Sequence, residues 1–531
     1  MTLTGHHLIG GHWQRSNPPS FSSVNPRNKT PGEMRFAEAS EEEVDAALIA
    51  ATRTFEETRT YSTDKLAGFL NTVADEIEGL GNGLMETADL ETGLGLPRLS
   101  GECTRTTGQL RAFARILQEG SYVEAIIDTA LPQRTPAPRP DIRRMLFPIG
   151  PIAVFTPNNF PLAFGVAGGD TASAFAAGCP VIAKGHPSHP GTSEWVARAI
   201  LRALEKADFP RGFFSLLQGR TPAVGQALVR HPGLAGVGFT GSQAGGRAIF
   251  DLAASRPAPI PVYAEMGSTN PVILLPHAIK SQAHLAANLA ASVTLGSGQF
   301  CTNPGLILLF ETAESTALIR AVGEALSAQT PGVLLNEGVE KNLSQAVSQT
   351  LGKSTVSLIT GGKPVEGAAY CFANTVMQTT ARAFLADPEL QTEHFGPATL
   401  FVTCQSQAEM EAVIRNLEGN LTATIHAGDE DLPQAQALFQ LLREKAGRLI
   451  FNGFPTGVEV VYAQHHGGPY PATTAPAFTS VGMTALKRWM RPVAFQNFPD
   501  SLLPPQLQNG NPTKIWRLVD EKFTNDVTAP A

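Results

Sequence analysis

A cysteine and a glutamate stand where covalent catalysis could be performed. Cys301 follows the small and polar residues 296–299, and such a run can place a thiol at a turn or helix N-terminus, where its thiolate is stabilised. Glu265 ends an apolar run, so it is either a structural acid or a general base at the mouth of a strand. Read alone, Cys301 also fits an inert core thiol.

Two further segments offer groups that bind anions. Asn159 lies in a loop after an apolar run, as a turn residue or as an amide donor to an oxyanion. Residues 241–246, GSQAGG, follow a candidate strand and open a helix, where free N–H groups suit a pyrophosphate. The segment is neither GxGxxG nor a P-loop, so a plain strand–helix turn explains it equally well.

Short apolar runs alternate with helix-like stretches from Leu146 onward. This order predicts βαβ units and two doubly wound, mostly parallel Rossmann-like sheets, an α/β fold whose two domains join near residue 267. Ligands in such sheets bind beyond the carboxyl ends of the strands. The candidate strands are 151–155, 180–184, 213–217, 234–239 and 261–265, then 271–275, 306–310, 400–403 and 421–427.

Helices and an arm are predicted outside these sheets. Ser40 and Glu43 form a capping-box pattern ahead of a segment with apolar residues at helical spacing, and a second amphipathic segment runs from about Lys65 to Leu80. Residues 131–140 contain four prolines, which excludes a helix interior or a central strand. We interpret them as an exposed arm or connection.

Composition narrows the functional class. The 531 residues include 40 basic and 47 acidic side chains, a net charge of −7, which argues against a nucleic-acid-binding surface. We see no membrane-spanning run and no secretory signal, so we expect no membrane partner. Five scattered cysteines without a CxxC pair indicate free thiols in a reducing cytoplasm.

Two histidine pairs were weighed as metal ligands. His6–His7 and His465–His466 stand without an HExxH or CxxC motif. We therefore interpret them as solvated loop histidines and predict no metal site.

Six short motifs, taken together, are far more specific than any one of them. TPNNFP, VIAK, FTGS, AEMGSTNP, GQFC and EHFGP occur in this order, and the chain from Ile9 to about residue 490 resembles the NAD(P)-dependent aldehyde dehydrogenase family. The resemblance implies that Cys301 is the nucleophile and Glu265 the general base. It also implies an oxyanion hole formed by the Asn159 amide and the Cys301 backbone N–H.

The same resemblance implies a cofactor site. Lys184 corresponds to the lysine that binds the adenosine ribose, Ser242 with Gly241 and Gly246 to the pyrophosphate contact, Glu393 to the nicotinamide-ribose ligand, and Phe395 to the aromatic wall beside the nicotinamide. The implied domains are a dinucleotide-binding domain (1–124 and 146–267), a catalytic domain (268–478), a β oligomerisation arm (125–145 and 479–500) and a C-terminal tail (501–531).

The residue at position 187 bears on the choice of cofactor. NAD-preferring members commonly carry a glutamate three residues after the lysine, and here Pro187 stands there. We expect NADP preference with His186, Ser188 or Arg220 around the 2′-phosphate, because an arginine can bind a phosphate through paired N–H donors. NAD remains possible, with Arg220 as an ordinary surface residue and both cofactors used.

The substrate prediction depends on the amino-acid sequence around the candidate site. This sequence resembles a branch of the family that includes dehydrogenases of 2,5-dioxopentanoate, which form 2-oxoglutarate, and a group acting on long-chain aliphatic aldehydes. The residues after Pro161 lack Arg and Lys, which favours an apolar channel, although Ser297, Gln299, Thr302, His465 and His466 could donate to a carboxylate. The usual PFGG is replaced by Gly467-Gly468-Pro469-Tyr470.

Three alternatives to the dioxopentanoate reading stay open. They are oxidation of long-chain aldehydes, acyl transfer to coenzyme A and a non-catalytic scaffold. Retention of Glu265 favours hydrolysis over acyl transfer, because a base for water is present. The resemblance further implies a small-molecule aldehyde as partner and a homodimer or homotetramer.

Overall fold

The structure is a computed structural model that describes residues 2–15 and 19–528. The α-helices are α1 Glu41–Thr58, α2 Thr63–Glu78, α3 Asn82–Thr92, α4 Leu96–Glu119, α5 Gly169–Ala177, α6 Pro190–Lys206, α7 Pro222–Arg230, α8 Gln243–Ala254, α9 Pro276–Ser281, α10 Leu285–Thr294, α11 Ala313–Ser327, α12 Glu337–Leu351, α13 Ala381–Ala386, α14 Gln407–Asn416 and α15 Leu432–Leu442.

The strands fall into three large sheets and two small pairs. They are β1 His7–Ile9, β2 His12–Gln14, β3 Ser20–Phe21, β4 Val24–Asn25, β5 Thr30–Pro31, β6 Phe36–Ala37, β7 Ile126–Asp128, β8 Ile142–Pro148, β9 Ile152–Phe155, β10 Val181–Lys184, β11 Phe214–Leu217, β12 Gly236–Thr240, β13 Val262–Glu265, β14 Val272–Leu274, β15 Leu306–Phe310, β16 Ser357–Thr360, β17 Thr375–Thr380, β18 Ala398–Cys404, β19 Asn420–His426, β20 Ala446–Phe451, β21 Met490–Gln496, β22 Arg517–Val519 and β23 Lys522–Thr524.

The first large sheet carries the candidate dinucleotide site. Its order is β13-β12-β9-β10-β11-β1-β2, with the first five strands parallel. The chain runs outward from β9 through β10 and β11 and then returns to β12 on the other side of β9. This reversal opens a crevice beyond the carboxyl ends of β9 and β12, the place where doubly wound sheets bind ligands.

The second large sheet has the order β16-β17-β18-β15-β14-β19-β20, and every neighbouring pair except β16–β17 is parallel. The α/β class with two doubly wound sheets is confirmed, and the nine predicted strands are all present. The apolar-run criterion missed β17, Thr375–Thr380, because its buried face is largely threonine.

Both sheets are covered on two faces, which explains the unbroken apolar runs of their strands. In β9, Ile152 and Val154 pack with helices α2, α4, α5 and α6, whereas Ala153 and Phe155 pack with α1, α7 and α8. The second sheet is buried in the same alternating way. The loops at the strand ends are therefore held by rigid cores.

A third sheet, β21-β8-β7-β22-β23, includes the predicted arm. The residues around the four prolines are largely exposed. The arm prediction began at residue 479, but residues 483–489 form a 3₁₀ helix whose Trp489 is fully buried in the first core. The predicted C-terminal tail, 501–531, supplies β22 and β23 of this sheet. Its last residues, 529–531, lie outside the described residues.

Local predictions near the N-terminus have mixed outcomes. The capping box is confirmed: Ser40 Oγ accepts from Glu43 N–H at 3.2 Å and Glu43 Oε2 accepts from Ser40 N–H at 2.8 Å. The prediction of solvated loop histidines is wrong for His7, which lies in β1 with 0% exposure and accepts the Gln218 N–H at Nδ1, 3.0 Å away. Among the described helices, none combines the length and apolar character that a membrane span requires.

Candidate active site

A cleft of about 860 Å³ lies beyond the carboxyl ends of β9, β10, β12 and β13 and reaches the loop that follows α10. Its size is in the range of small-molecule and cofactor sites. Ten of the predicted site residues line it: Asn159, Lys184, His186, Arg220, Gly241, Ser242, Glu265, Cys301, Glu393 and Phe395. Ser188 and Gly246 do not line it.

The loop carrying Cys301 has a backbone that requires glycine. Gly298 has a φ of +68°, and a Cβ there would lie 2.1 Å from the carbonyl oxygen of Gly396. The Cys301 carbonyl accepts from Asn270 Nδ2 at 2.9 Å, which ties the loop to the end of β13. The small residues before the cysteine are therefore a packing requirement of a tight loop.

An arginine fastens the Asn159 loop to the Cys301 loop. Arg98 of α4 donates from Nη2 to the Asn159 carbonyl at 2.9 Å, and its guanidinium lies 4.7 Å from the Phe160 ring and 4.6 Å from the Phe300 ring. The two rings meet edge to face at 5.1 Å. Phe160, next to Asn159, and Phe300, next to Cys301, are thus held together by contact with Arg98.

The Asn159 amide faces the same loop. Its side chain is 6% exposed, and Nδ2 donates to the Gln299 carbonyl at 3.0 Å, so its second N–H is available to a ligand. The Cys301 backbone N–H meets no acceptor among the described residues. Both donors can serve an oxyanion formed at a carbonyl beside Cys301.

Glu265 is buried and hydrogen-bonded by two side chains. His466 Nε2 lies 2.9 Å from Oε1, and Ser480 Oγ donates to Oε2. Burial raises the pKa of this carboxyl group, but the interactions with His466, Ser480 and Cys301 outweigh burial and leave the pKa below its ordinary value. Glu265 is accordingly a carboxylate near neutral pH.

The prediction that His466 is a solvated loop histidine is wrong. His466 is 1% exposed, and its Nε2 lies 3.4 Å from Cys301 Sγ as well as beside Glu265. Its Nδ1 is buried without a partner among the described residues. Nε2 faces both Glu265 and Cys301, so a proton on this nitrogen can be donated to only one of the two at a time.

The Cys301 thiol is not ionised at rest. Burial raises its pKa well above the ordinary value, and the nearby charges of Glu265 and Glu393 add to the effect. The expectation of a thiolate stabilised by the loop is wrong for this state, because two carboxylates outweigh the opposing charge of Arg105. The thiol needs a proton acceptor, and the Glu265–His466 pair is adjacent.

Glu265, Cys301 and His466 also form a donor set of the kind that accepts zinc. One ligand atom of each lies within 4.8 Å of the other two. The predictions named no metal site, and the hydrogen bonds among the three residues account for their proximity.

The far half of the cleft suits a phosphate-bearing ligand. Ser242 caps α8 and accepts the Gly245 N–H at 3.2 Å, which leaves the first N–H groups of the helix directed at the cleft. A Cβ on Gly241 would approach the Phe239 ring to 2.7 Å, so the backbone lines the wall there without a side chain. Gly246 instead packs on Met266, which explains why it does not line the cleft.

Basic groups surround the outer end of the cleft. Lys184 Nζ donates to the Gly219 carbonyl, and burial lowers the pKa of Lys184 to about 8 despite the charge of Glu38. The Arg220 guanidinium has no side-chain partner among the described residues. Burial lowers the pKa of His186 well below its ordinary value, and Ser188 Oγ accepts from Asn336 instead of facing the cleft.

Glu393 and Phe395 stand beside the end of β13. A Cβ on Gly267 would lie 2.4 Å from Glu393 Oε2, so only glycine leaves room for this carboxyl group. Burial raises the pKa of Glu393 to about 7, against a backbone hydrogen bond from Ser268. The group can therefore gain or lose a proton near neutral pH.

Comparison with known proteins accounts for this geometry. The sequence pattern of the family described as "Aldehyde dehydrogenase family" matches residues 13–469, most of the chain. The chain belongs to the aldehyde dehydrogenase family. The family name places it among oxidoreductases that act on aldehydes.

Relatives extend along the whole chain. The alpha-ketoglutaric semialdehyde dehydrogenase 2 of Azospirillum brasilense is 46% identical over 98% of this chain and 100% of its own. The alpha-ketoglutaric semialdehyde dehydrogenase of Acinetobacter baylyi is 42% identical over 98% of this chain and 99% of its own.

Solved structures share the fold. Betaine aldehyde dehydrogenase of Staphylococcus aureus has a TM-score of 0.80 at 21% identity, covering 93% of this chain and 95% of its own. PnpE of Pseudomonas sp. WBC-3, in complex with nicotinamide adenine dinucleotide, has a TM-score of 0.77 at 21% identity, covering 92% of this chain and 97% of its own.

Sequence reasoning overlooked several residues near Cys301. Ser480 holds Glu265, and Arg98 holds the Asn159 loop, yet neither lies in a recognisable motif. For His466, the available signal was the histidine pair 465–466, which directly precedes the segment that replaces PFGG.

Proposed function

We propose that this enzyme oxidises 2,5-dioxopentanoate to 2-oxoglutarate with NADP as cofactor. The observation that carries the chemistry is that Cys301, Glu265 and Asn159 line one cleft with an open helix N-terminus. The substrate follows from two relatives, 46% and 42% identical along nearly the full chain, that are named for this semialdehyde.

Cys301 forms the covalent bond to the substrate. Its proton passes to the Glu265–His466 pair as Sγ attacks the aldehyde carbon, and the carbonyl oxygen becomes an oxyanion. The Asn159 amide and the Cys301 N–H donate to that oxyanion; losing one such donor typically costs about 10²–10³ in rate. The bound nicotinamide would accept the hydride, which leaves a thioester on Cys301.

Glu265 then releases the product. Once the proton taken from Cys301 has been released to solvent, the Glu265 carboxylate takes a proton from water, the resulting hydroxide attacks the thioester carbon, and the C–S bond breaks with Cys301 leaving as thiolate. The proton on Glu265 then returns to Cys301, and the product leaves as a carboxylate. The low pKa of Glu265 keeps it ionised for this step, and Ser480 and His466 hold its two oxygens in place.

The chain's residues fit a dinucleotide along the cleft. Lys184 would hold the adenosine ribose, the N-terminus of α8 with Ser242 the pyrophosphate, and Glu393 with Phe395 the nicotinamide end. NADP preference is supported by Pro187, which removes a carboxylate, and by the free guanidinium of Arg220. The structure favours Arg220 over Ser188 and the neutral His186 as the phosphate ligand.

The cofactor proposal is tested by comparing kcat/KM for NADP and NAD in the wild type and in Arg220→Gln. We expect the wild type to prefer NADP and the variant to lose that preference, with Arg230→Gln at the same end of the cleft as the control. A wild type that prefers NAD contradicts NADP preference.

The substrate proposal is tested with an aldehyde panel: 2,5-dioxopentanoate, succinic semialdehyde, hexanal and dodecanal. We expect the highest kcat/KM for 2,5-dioxopentanoate, with free 2-oxoglutarate as product. The highest value for dodecanal would establish the long-chain alternative, and an acyl-CoA product in the presence of coenzyme A would establish acyl transfer.

The assembly and domain organisation are proposed on the same basis. We expect residues 1–124 and 146–267 to form the cofactor domain and 268–478 the catalytic domain. A homodimer or homotetramer would pair through the third sheet, whose edge strand β21 is followed by the exposed Phe498. Light scattering on the purified protein measures the mass, and a monomer contradicts this proposal. Five free thiols suit the cytoplasm, where we place the enzyme.

A further inference from the structure

Arg105 is a half-buried cation near Cys301 that forms no ion pair with a carboxylate of the described residues. It lies two turns of α4 beyond Arg98, with its guanidinium 5.7 Å from the Phe164 ring. Nη1 donates to the Val458 carbonyl at 2.7 Å, and Nε is buried without a partner among the described residues. Burial lowers the pKa of Arg105, and Cys301, when it ionises, opposes this more than any other charged group does.

Arg448 approaches the same place from the second sheet. It lies in β20 and donates to the carbonyls of Pro455 at 2.7 Å and Gly457 at 2.9 Å, while its Nε is buried and unpartnered. The preceding residue, Gly447, abuts the histidine loop, since a Cβ there would lie 2.1 Å from the Gly467 carbonyl. Burial lowers the pKa of Arg448, and Cys301, when it ionises, acts against this effect.

The two arginines are held by one loop. Residues 455–458 offer three carbonyl groups, of which two bind Arg448 and one binds Arg105. Neither guanidinium lies within 4.0 Å of a carboxylate of the described residues, although Glu102, Glu459 and Glu265 act on Arg105 at longer range. A half-buried positive charge without a counter-ion reduces the stability of the fold unless an anionic ligand pairs with it.

We propose that Arg105 and Arg448 form the subsite that binds the carboxylate of the substrate, with the 2-oxo group beside it. The inference rests on the proposed function. When the aldehyde carbon is bound to Cys301 Sγ, the carboxylate stands at the opposite end of the five-carbon chain. The guanidinium N–H groups that are not bound to the 455–458 carbonyls then donate to its oxygens, and the guanidinium charges replace its lost hydration.

This subsite also explains selectivity. A long-chain aliphatic aldehyde would bring methylene groups against two unpaired guanidinium groups, and the buried N–H donors would stay unsatisfied. Sequence reasoning placed the carboxylate donors on 297–302 and 465–466, because Arg105 and Arg448 come from segments far from any site motif.

The test compares 2,5-dioxopentanoate with pentanal, which has the same chain length without the keto acid. In Arg105→Gln and in Arg448→Gln we expect kcat/KM for 2,5-dioxopentanoate to fall about 10- to 100-fold, as for a lost hydrogen bond to a charged group, while that for pentanal is unchanged. Arg105→Lys and Arg448→Lys keep the charge and should lie between. Arg115→Gln, on the exposed side of α4, is the matched control and should change neither value.

A second measurement uses the wild type alone. The methyl ester of 2,5-dioxopentanoate should have a KM at least about tenfold higher than the free acid, because the ester removes the charge. Equal KM values, or an unchanged substrate ratio in both Gln variants, would overturn the subsite while the proposed function stands. A wild type that oxidises pentanal but not 2,5-dioxopentanoate overturns the proposed function and the subsite together.

Discussion

Nε2 of His466 lies 2.9 Å from Oε1 of Glu265, in a position where the same nitrogen is also 3.4 Å from the sulfur of Cys301. This contact links the group that prepares water to the group that attacks the aldehyde. Because the imidazole is buried and has one nitrogen toward both, its effect is to hold the carboxylate and to couple the two titrations.

Replacing this histidine should change the pH dependence. In His466→Phe, burial of Glu265 is no longer offset by the hydrogen bond, so the pKa of the carboxyl group rises. A base of raised pKa is protonated over a wider acidic range, so the acidic limb of the kcat profile moves to higher pH. We expect kcat at pH 7 to fall about 10- to 100-fold, less than the roughly 10²- to 10⁴-fold contribution of general base catalysis, because Glu265 itself is retained. His465→Phe is the control; an unchanged acidic limb in His466→Phe contradicts this account.

The thiol of Cys301 should react slowly in the free enzyme. Its pKa is raised well above the ordinary value, so the thiolate fraction at pH 7 is small and continues to increase as the pH rises past 9. Rates of alkylation by iodoacetamide, followed by mass spectrometry of the Cys301 peptide, should increase with pH without levelling off near pH 8. A plateau at or below pH 7 would show a resting thiolate and contradict the assigned state.

The Asn159 amide is predicted to act on the transition state. Asn159→Ala removes one oxyanion donor and should lower kcat about 10²- to 10³-fold with little change in the KM for cofactor. Asn158→Ala, in the same loop and also lining the cleft, is the matched control. The measurement is steady-state kcat of the two variants. Similar small decreases in both would contradict the assignment of Asn159 to the oxyanion hole.

The affinity for cofactor should be highest at a pH between the pKa values of Glu393 and Lys184. The pKa of Glu393 is about 7 and that of Lys184 about 8, both moved by burial. Below pH 7 the protonated Glu393 loses acceptor capacity, and above pH 8 the neutral Lys184 loses its charge, so affinity falls on both sides. Equilibrium titration with NAD, which has no 2′-phosphate to titrate, should show the maximum; Glu393→Gln should remove the acidic fall and Lys184→Met the alkaline one. A pH-independent wild type contradicts these assignments.

The local pattern of apolar residues was sufficient to predict the strands that form the scaffold of the site. The strands that end at Phe155, Lys184, Thr240 and Glu265 were visible because residues buried on both faces of a sheet give unbroken apolar runs. Topology then brings their carboxyl ends to one edge, so the residues that follow them share a cleft.

The electrostatics of the site were not visible in the sequence. Whether Cys301 is ionised depends on Glu265 and Glu393, which are far from it in the chain and adjacent in the fold. The position of His466 between Glu265 and Cys301, and the pair Arg105 and Arg448, could not be predicted for the same reason, since they depend on contacts with residues on other elements. Polar residues in an amphipathic helix or an edge strand carry no periodic signal that separates a site from a solvated face.

The most direct measurement is a single turnover of Glu265→Gln with 2,5-dioxopentanoate and NADP, followed by mass spectrometry of the Cys301 peptide. The proposed chemistry predicts one equivalent of reduced cofactor, formed more slowly than in the wild type because Glu265 no longer helps to accept the Cys301 proton. It also predicts an acyl group that stays on Cys301, because the amide cannot deprotonate water. Cys301→Ala should give neither signal. Reduced cofactor without an acyl group on Cys301, or steady turnover at the wild-type rate, would contradict the account.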